Sequence, residues 1–160
     1  MKKLWMVLSA LLVIGIGTAG AQVWTANAPA NYQLKLPKNQ YSPGHQGVVA
    51  ANWLFNRQQI KVGEKYELEI TFKSNRAFTG LDIAIVDGSE KAKWWQELSD
   101  WEKIEEAIPA NTEITKKFTF TTTTGATGTE NRANSIVFDT QGATQEITLT
   151  FSKFTLTRVQ

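Results

Sequence analysis

A two-residue rhythm constrains this chain more than any other feature. From Glu64 to Lys73, Tyr66, Leu68, Ile70 and Phe72 alternate with Glu67, Glu69, Thr71 and Lys73. On an extended backbone the apolar set faces one way and the polar set the other. The rhythm returns in Leu81, Ile83 and Ile85, with Asp82 on the opposite face. It recurs in Ile114, Phe118 and Phe120 within 112–124, and in Ile147, Leu149 and Phe151. Tyr32, Leu34 and Leu36 suit a first, edge-like strand between Pro29 and Pro37. Gln46 to Phe55 suits a second, ended by a turn over 56–63. Ala133 to Thr140, around Ile136-Val137-Phe138, suits another. No helical pattern is long enough to serve as a crossover, which argues against a parallel sheet. The expectation is therefore all-β: a two-sheet antiparallel β-sandwich, or jelly roll.

Three local expectations go with this. After Phe151 the phase slips, because Phe154 and Leu156 carry the next apolar set. One extra residue at Ser152-Lys153 would return both sets to the core face, so a β-bulge is predicted there. Asp100 to Ala107 is the sole helical candidate, two turns long at most before Pro109. The polar stretch 121–134, TTTTGATGTENRAN, reads as a long flexible loop without chemistry.

The first 21 residues stand apart. Lys2 and Lys3 precede an apolar run from Leu4 to Ile16, and Ala19-Gly20-Ala21 follows. This is the pattern of a secretory signal peptide, and the run is short for a membrane span. No Cys follows it to carry a lipid. The expectation is a secreted protein, extracellular or periplasmic, with no membrane insertion and one mature domain over 22–160. The whole chain has 17 Lys+Arg and 15 Asp+Glu, but 1–21 carries two of the Lys and no acid. The mature part is therefore balanced, and nothing in it suggests the clustered positive face of a nucleic-acid binder. With no Cys, it has no disulfide, thiol nucleophile or Cys-based metal site.

Function is sought in Asp87 to Trp101, DGSEKAKWWQELSDW, which holds three of the six tryptophans. Trp94 and Trp95 are adjacent, so on an extended backbone their rings point to opposite faces and cannot both enter one core. Trp53, Trp94, Trp95 and Trp101 are interspersed with Asn52, Asn56, Asp87, Gln96 and Glu97. A sugar offers an apolar C–H face and a rim of hydroxyls. A flat ring suits the first, and amides and carboxylates suit the second. Burying about 80 Å² on one ring is worth roughly 2 kcal/mol. Two or three such rings, less ordering costs, give affinities of about millimolar to micromolar. The expected ligand-binding residues are Trp53, Asn56, Asp87, Trp94, Trp95 and Trp101.

Catalysis and metals have weaker support. His45 is the single histidine and has no G-x-S-x-G partner motif. The carboxylates Asp82, Asp87, Glu90, Glu97, Asp100, Glu102, Glu105 and Glu106 could supply a glycosidase pair. In an exposed loop such groups usually serve only solubility. Asp87-Gly88-Ser89-Glu90 lacks the spacing of a calcium loop and suits a turn. No catalytic residue, metal ligand or cofactor is predicted.

The segments W53-LFN, I60-KVGEKYELEITFKS, L81-DIAIVD, KKFTFT and ITLTFSKFTLTRV together resemble the jelly-roll carbohydrate-binding modules attached to bacterial plant-polysaccharide hydrolases. The resemblance covers about 50–159. It implies a sandwich whose concave face or end loops bind a glycan, with Trp53 and Asn56 near that cleft. Many such modules place Asp-Asn before the closing hydrophobic pair, as part of a structural calcium site. Here those positions are Ser152-Lys153, so calcium, though possible in the family, is not predicted. No catalytic domain is expected on the chain, so the module would act alone or beside separately secreted glycoside hydrolases. The leading expectation is a secreted, non-catalytic protein that binds plant cell-wall β-glycan through exposed tryptophans. One alternative is a structural or adhesive sandwich that binds a protein partner. The other is a small glycoside hydrolase.

Overall fold

The computed structural model describes residues 24–37, 47–50, 60–88, 96–126, 134–140 and 143–159. Among them are ten strands and no helix. In chain order these are β1 (Trp24–Asn27), β2 (Tyr32–Leu36), β3 (Gly47–Ala50), β4 (Lys65–Ser74) and β5 (Phe78–Asp87), then β6 (Gln96–Glu97), β7 (Glu102–Ile108), β8 (Ile114–Thr121), β9 (Asn134–Asp139) and β10 (Ile147–Val159).

The strands form two five-stranded antiparallel sheets. Sheet 1 has the order β1-β10-β4-β8, with β2 also on β10. The 13-residue β10 lies along β4 on one edge, while its other edge pairs first with β2 and then with β1. Sheet 2 has the order β3-β9-β5-β6, with β7 also on β5. Here one edge of β5 pairs with β9 and the other with β7 and β6. The sequence-predicted β-sandwich is the observed fold.

The alternating strands build the core between the sheets. Sheet 1 contributes Tyr66, Leu68, Ile70 and Phe72, all buried, and sheet 2 contributes Leu81, Ile83, Ile85, Ile136 and Phe138. The predicted bulge is present: pairing with β4 shifts register between Phe151 and Lys153, leaving Ser152 as the extra residue. It brings Phe151 and Phe154 into the core together, with ring centroids 4.9 Å apart. Phe138 meets both rings from the other sheet at 5.8 and 5.7 Å, within the range of favourable aromatic pairs.

Four sequence expectations need correction. Residues 102–108 are strand β7, not helix. Ile104 and Ile108 are four apart, a spacing that shares a face in a strand as well as in a helix, so the pattern alone was ambiguous. Pairing with β5 decides the conformation, and one extra residue on β7 is taken up opposite Gly80, whose φ of 80° suits glycine. Second, β1 lies within 22–45, a stretch that Pro29, Pro37 and Pro43 make read as irregular in the sequence.

Third, the start of the polar stretch 121–134 is tied down. Thr122 is buried; its hydroxyl donates to Lys61 C=O at 2.5 Å and accepts from Glu64 N–H at 2.9 Å. Thr122 also bridges to Ser99, which links the end of β8 in sheet 1 to the segment after β6 in sheet 2. Fourth, the polar face expected opposite Leu81, Ile83 and Ile85 is not exposed. Ala84, Val86 and Val137 form a second apolar cluster on that outer face of sheet 2, and Asp82 beside them is only 4% exposed.

Candidate functional site

Of the six expected ligand-binding residues, Trp53, Asn56, Trp94 and Trp95 lie outside the described residues. Asp87 and Trp101 are described, and they do not share a face. Asp87 ends β5 in phase with Ile83 and Ile85, the core-facing residues, and is fully buried. It also has an interaction partner. The expectation of Asp87 as an open rim carboxylate is corrected accordingly: strand alternation carries it inward, and burial keeps it from solvent.

Trp101 is half-buried, and its ring packs against Ala84, Val86 and Val137 on the outer face of sheet 2. The preceding residues hold it there. Leu98 N–H donates to Ile85 C=O at 2.8 Å, and Leu98 is buried in the main core. The Ser99 hydroxyl accepts from Ile85 N–H at 3.0 Å and donates to Asp100 C=O at 2.9 Å. From the other sheet, Thr123 N–H donates to Leu98 C=O at 2.8 Å. The chain is thus held just before Trp101, and β7 starts at Glu102 just after it. A ring supported from below and fixed at both flanks loses little rotamer freedom when a ligand stacks on it.

The same face carries charge that only the strand register reveals. Asp82 on β5 pairs directly with Asp139 on β9, and Val86 pairs with Ser135. Lys103 on β7 is paired with Asp82, with Nζ 3.9 Å from Oδ2. The outer face of sheet 2 therefore combines an apolar centre, a tryptophan and a carboxylate–lysine group. Ser135 Oγ is buried and has no hydrogen-bond partner among the described residues. Facing residues of an antiparallel pair are about 5 Å apart, close to the spacing of a retaining glycosidase pair. Asp82 and Asp139 are, however, 4% and 1% exposed, so no substrate reaches them as they stand. Sequence reasoning missed Lys103, Ser135 and Asp139. A hint lay in Asp82, a carboxylate inside the apolar run LDIAIV.

Among the described residues no group of three or more His, Cys, Asp or Glu side chains could hold a metal ion.

No protein-family model and no curated protein matches the chain. Solved structures do. An arabinose-bound α-L-arabinofuranosidase matches 86% of this chain and 22% of its own, at 14% identity and a TM-score of 0.52. A family 4 carbohydrate-binding module matches 63% of this chain and 57% of its own, at 14% identity and a TM-score of 0.44. The N-terminal cellulose-binding domain of Cellulomonas fimi β-1,4-glucanase C matches 80% and 90%, at 12% identity and a TM-score of 0.44. The chain spans only part of the first two proteins, and at these identities the likeness is one of fold. The fold is a β-sandwich, and several of the structures similar to it are carbohydrate-binding modules.

Proposed function

We propose that this protein is a secreted, non-catalytic carbohydrate-binding module that takes a plant cell-wall β-glycan on the tryptophan-bearing side of sheet 2. The observation that carries the reading is Trp101, a half-buried ring braced on Ala84, Val86 and Val137. It offers a flat apolar platform to a pyranose, and the exposed Lys103, held by the buried Asp82 beneath it, stands on the same face for hydroxyls. Trp53, Asn56, Trp94 and Trp95 belong to the same proposal as further platforms and amide contacts. Residues 1–21 belong to it as the export signal, and separately secreted glycoside hydrolases as the enzymes it would serve.

The test is affinity electrophoresis of residues 22–160 in gels containing soluble β-glycans, with tryptophan fluorescence read on those that retard it. Retardation by at least one β-glycan is expected, weakened about thirtyfold by Trp101→Ala, the loss of one platform of roughly 2 kcal/mol. If Trp53→Ala, Trp94→Ala, Trp95→Ala and Trp101→Ala all fold and bind as well as the parent, the tryptophan site is wrong. If no glycan retards the parent protein, the saccharide reading falls.

A further inference from the structure

The tryptophan segment follows the C-terminal end of β5. A different feature occupies the strand's N-terminal end, about 30 Å away for ten extended residues. There the turn between β4 and β5 faces the segment that leads into β10, and a cleft of about 730 Å³ opens between them. That volume is in the range of small-molecule sites.

The floor of the cleft is apolar. Ile147 is buried, and Phe78 and Ala143 are partly buried against the main core. The walls are polar: Asn75, Arg76, Thr140, Thr144 and Gln145. None of the described residues lining the cleft is acidic, so the positive charge of Arg76 is not neutralised within it. No ion pair of Arg76 is formed among the described residues.

The turn that carries Arg76 is built to hold still. Asn75 N–H donates to Thr148 C=O at 3.0 Å, and Thr148 N–H donates back to Asn75 Oδ1 at 2.8 Å. The buried Ser74 hydroxyl donates to Arg76 C=O at 2.6 Å and accepts from Arg76 N–H at 3.2 Å. Asn111 N–H donates to Ser74 C=O at 2.7 Å, which ties the turn to the β7–β8 connection. The backbone on which the guanidinium stands is therefore pre-organised, and less ordering is left for a ligand to offset.

We propose that this cleft binds a saccharide bearing a carboxylate, a uronic-acid unit, with Arg76 gripping the carboxylate and Phe78 receiving the sugar's C–H face. Guanidinium and carboxylate match as a two-pronged hydrogen-bonded pair, the aromatic floor matches the pyranose, and the amide and hydroxyl walls match its hydroxyls. The inference goes beyond the neutral glycan of the tryptophan side and uses none of its residues.

The test is isothermal titration of residues 22–160 with tetragalacturonate, with its methyl ester and with acetate. Binding of the tetragalacturonate is expected, weakened about tenfold or more by Arg76→Gln or by esterification. Salt raised from about 50 to about 300 mM should weaken it as well. Trp101→Ala should bind it as the parent does, and Arg76→Gln should keep both the parent unfolding midpoint and any β-glycan retardation. Failure of the parent to bind tetragalacturonate, equal binding of acid and ester, or unchanged affinity in Arg76→Gln would each overturn the proposal. Acetate binding as tightly as the tetramer would reduce the cleft to a small-anion spot and overturn its saccharide half. Loss of β-glycan binding with tetragalacturonate binding intact would count against the tryptophan site alone.

Discussion

Thr122 shows how much one short side chain can hold. Its hydroxyl satisfies both Lys61 C=O and Glu64 N–H, and its own backbone N–H donates to Glu64 C=O at 2.9 Å. Valine has nearly the same shape and no hydroxyl. Thr122→Val therefore leaves two part-buried backbone groups without that partner, a cost of about 1 kcal/mol. Urea denaturation should show a lower midpoint at unchanged slope. A midpoint equal to the parent's would mean that water replaces the hydroxyl. Little of this is legible in the sequence, where Thr122 is one of four consecutive threonines. Asp87 is a similar case: a carboxylate beside a glycine reads as a turn, yet strand phase carries it inside.

At the scale of the element, the β10 bulge was legible and β7 was not. Phe151, Phe154 and Leu156 are too hydrophobic to leave in water, and their spacing demands one extra residue. Deleting Ser152 would pull Phe154 and Leu156 out of phase. Each buried side chain is worth roughly 1.5–3 kcal/mol, so both together approach the stability of a whole domain. The expected outcome for the deletion is loss of a cooperative thermal transition. Ser152→Ala, at an exposed position with only long contacts of 3.4 and 3.3 Å, should stay within about 0.5 kcal/mol of the parent. Cooperative melting of the deletion variant near the parent midpoint would show that the bulge can migrate. β7 was misread because Glu, Lys, Ala and Ile at this spacing suit a short helix on propensity, and tertiary pairing overrides so weak a preference.

For the whole molecule, a polar group around Glu64 ties the start of β4 to the end of β10 in sheet 1. Glu64 accepts from the Tyr66 hydroxyl at 2.6 Å, from Lys61 N–H at 3.0 Å and from Arg158 at 3.2 Å. Burial first, and then the hydrogen bond and negative charge of Glu64, push the Tyr66 phenol well above its ordinary value of 10.0. The folded protein therefore keeps that proton to higher pH than the unfolded chain. The resulting stability is fully present below about pH 10 and is lost as pH rises beyond it. Unfolding free energy should decline above pH 10, and the decline should be shallower in Tyr66→Phe. Equal slopes in the two proteins would assign the loss to other groups. Ultraviolet titration should likewise show the Tyr66 phenol ionising above the ordinary range, and burial moves the Tyr32 phenol in the same direction.

The sequence by itself determined the class of fold and most of its core. Period-two hydrophobicity is a property of neighbouring residues, and burying one face of each strand leaves a two-layer sandwich as the available solution. It also singled out tryptophans as the residues to test, Trp101 among them. Only the tertiary structure decided what lies beside what. Asp82 faces Asp139 across 57 positions of sequence because β5 and β9 pair in one register. Trp101 rests on Val137 through that same pairing. The Arg76 cleft forms where a turn after β4 meets the approach to β10, about 70 residues later. Register and loop convergence depend on the whole set of burials at once, and no local pattern encodes them.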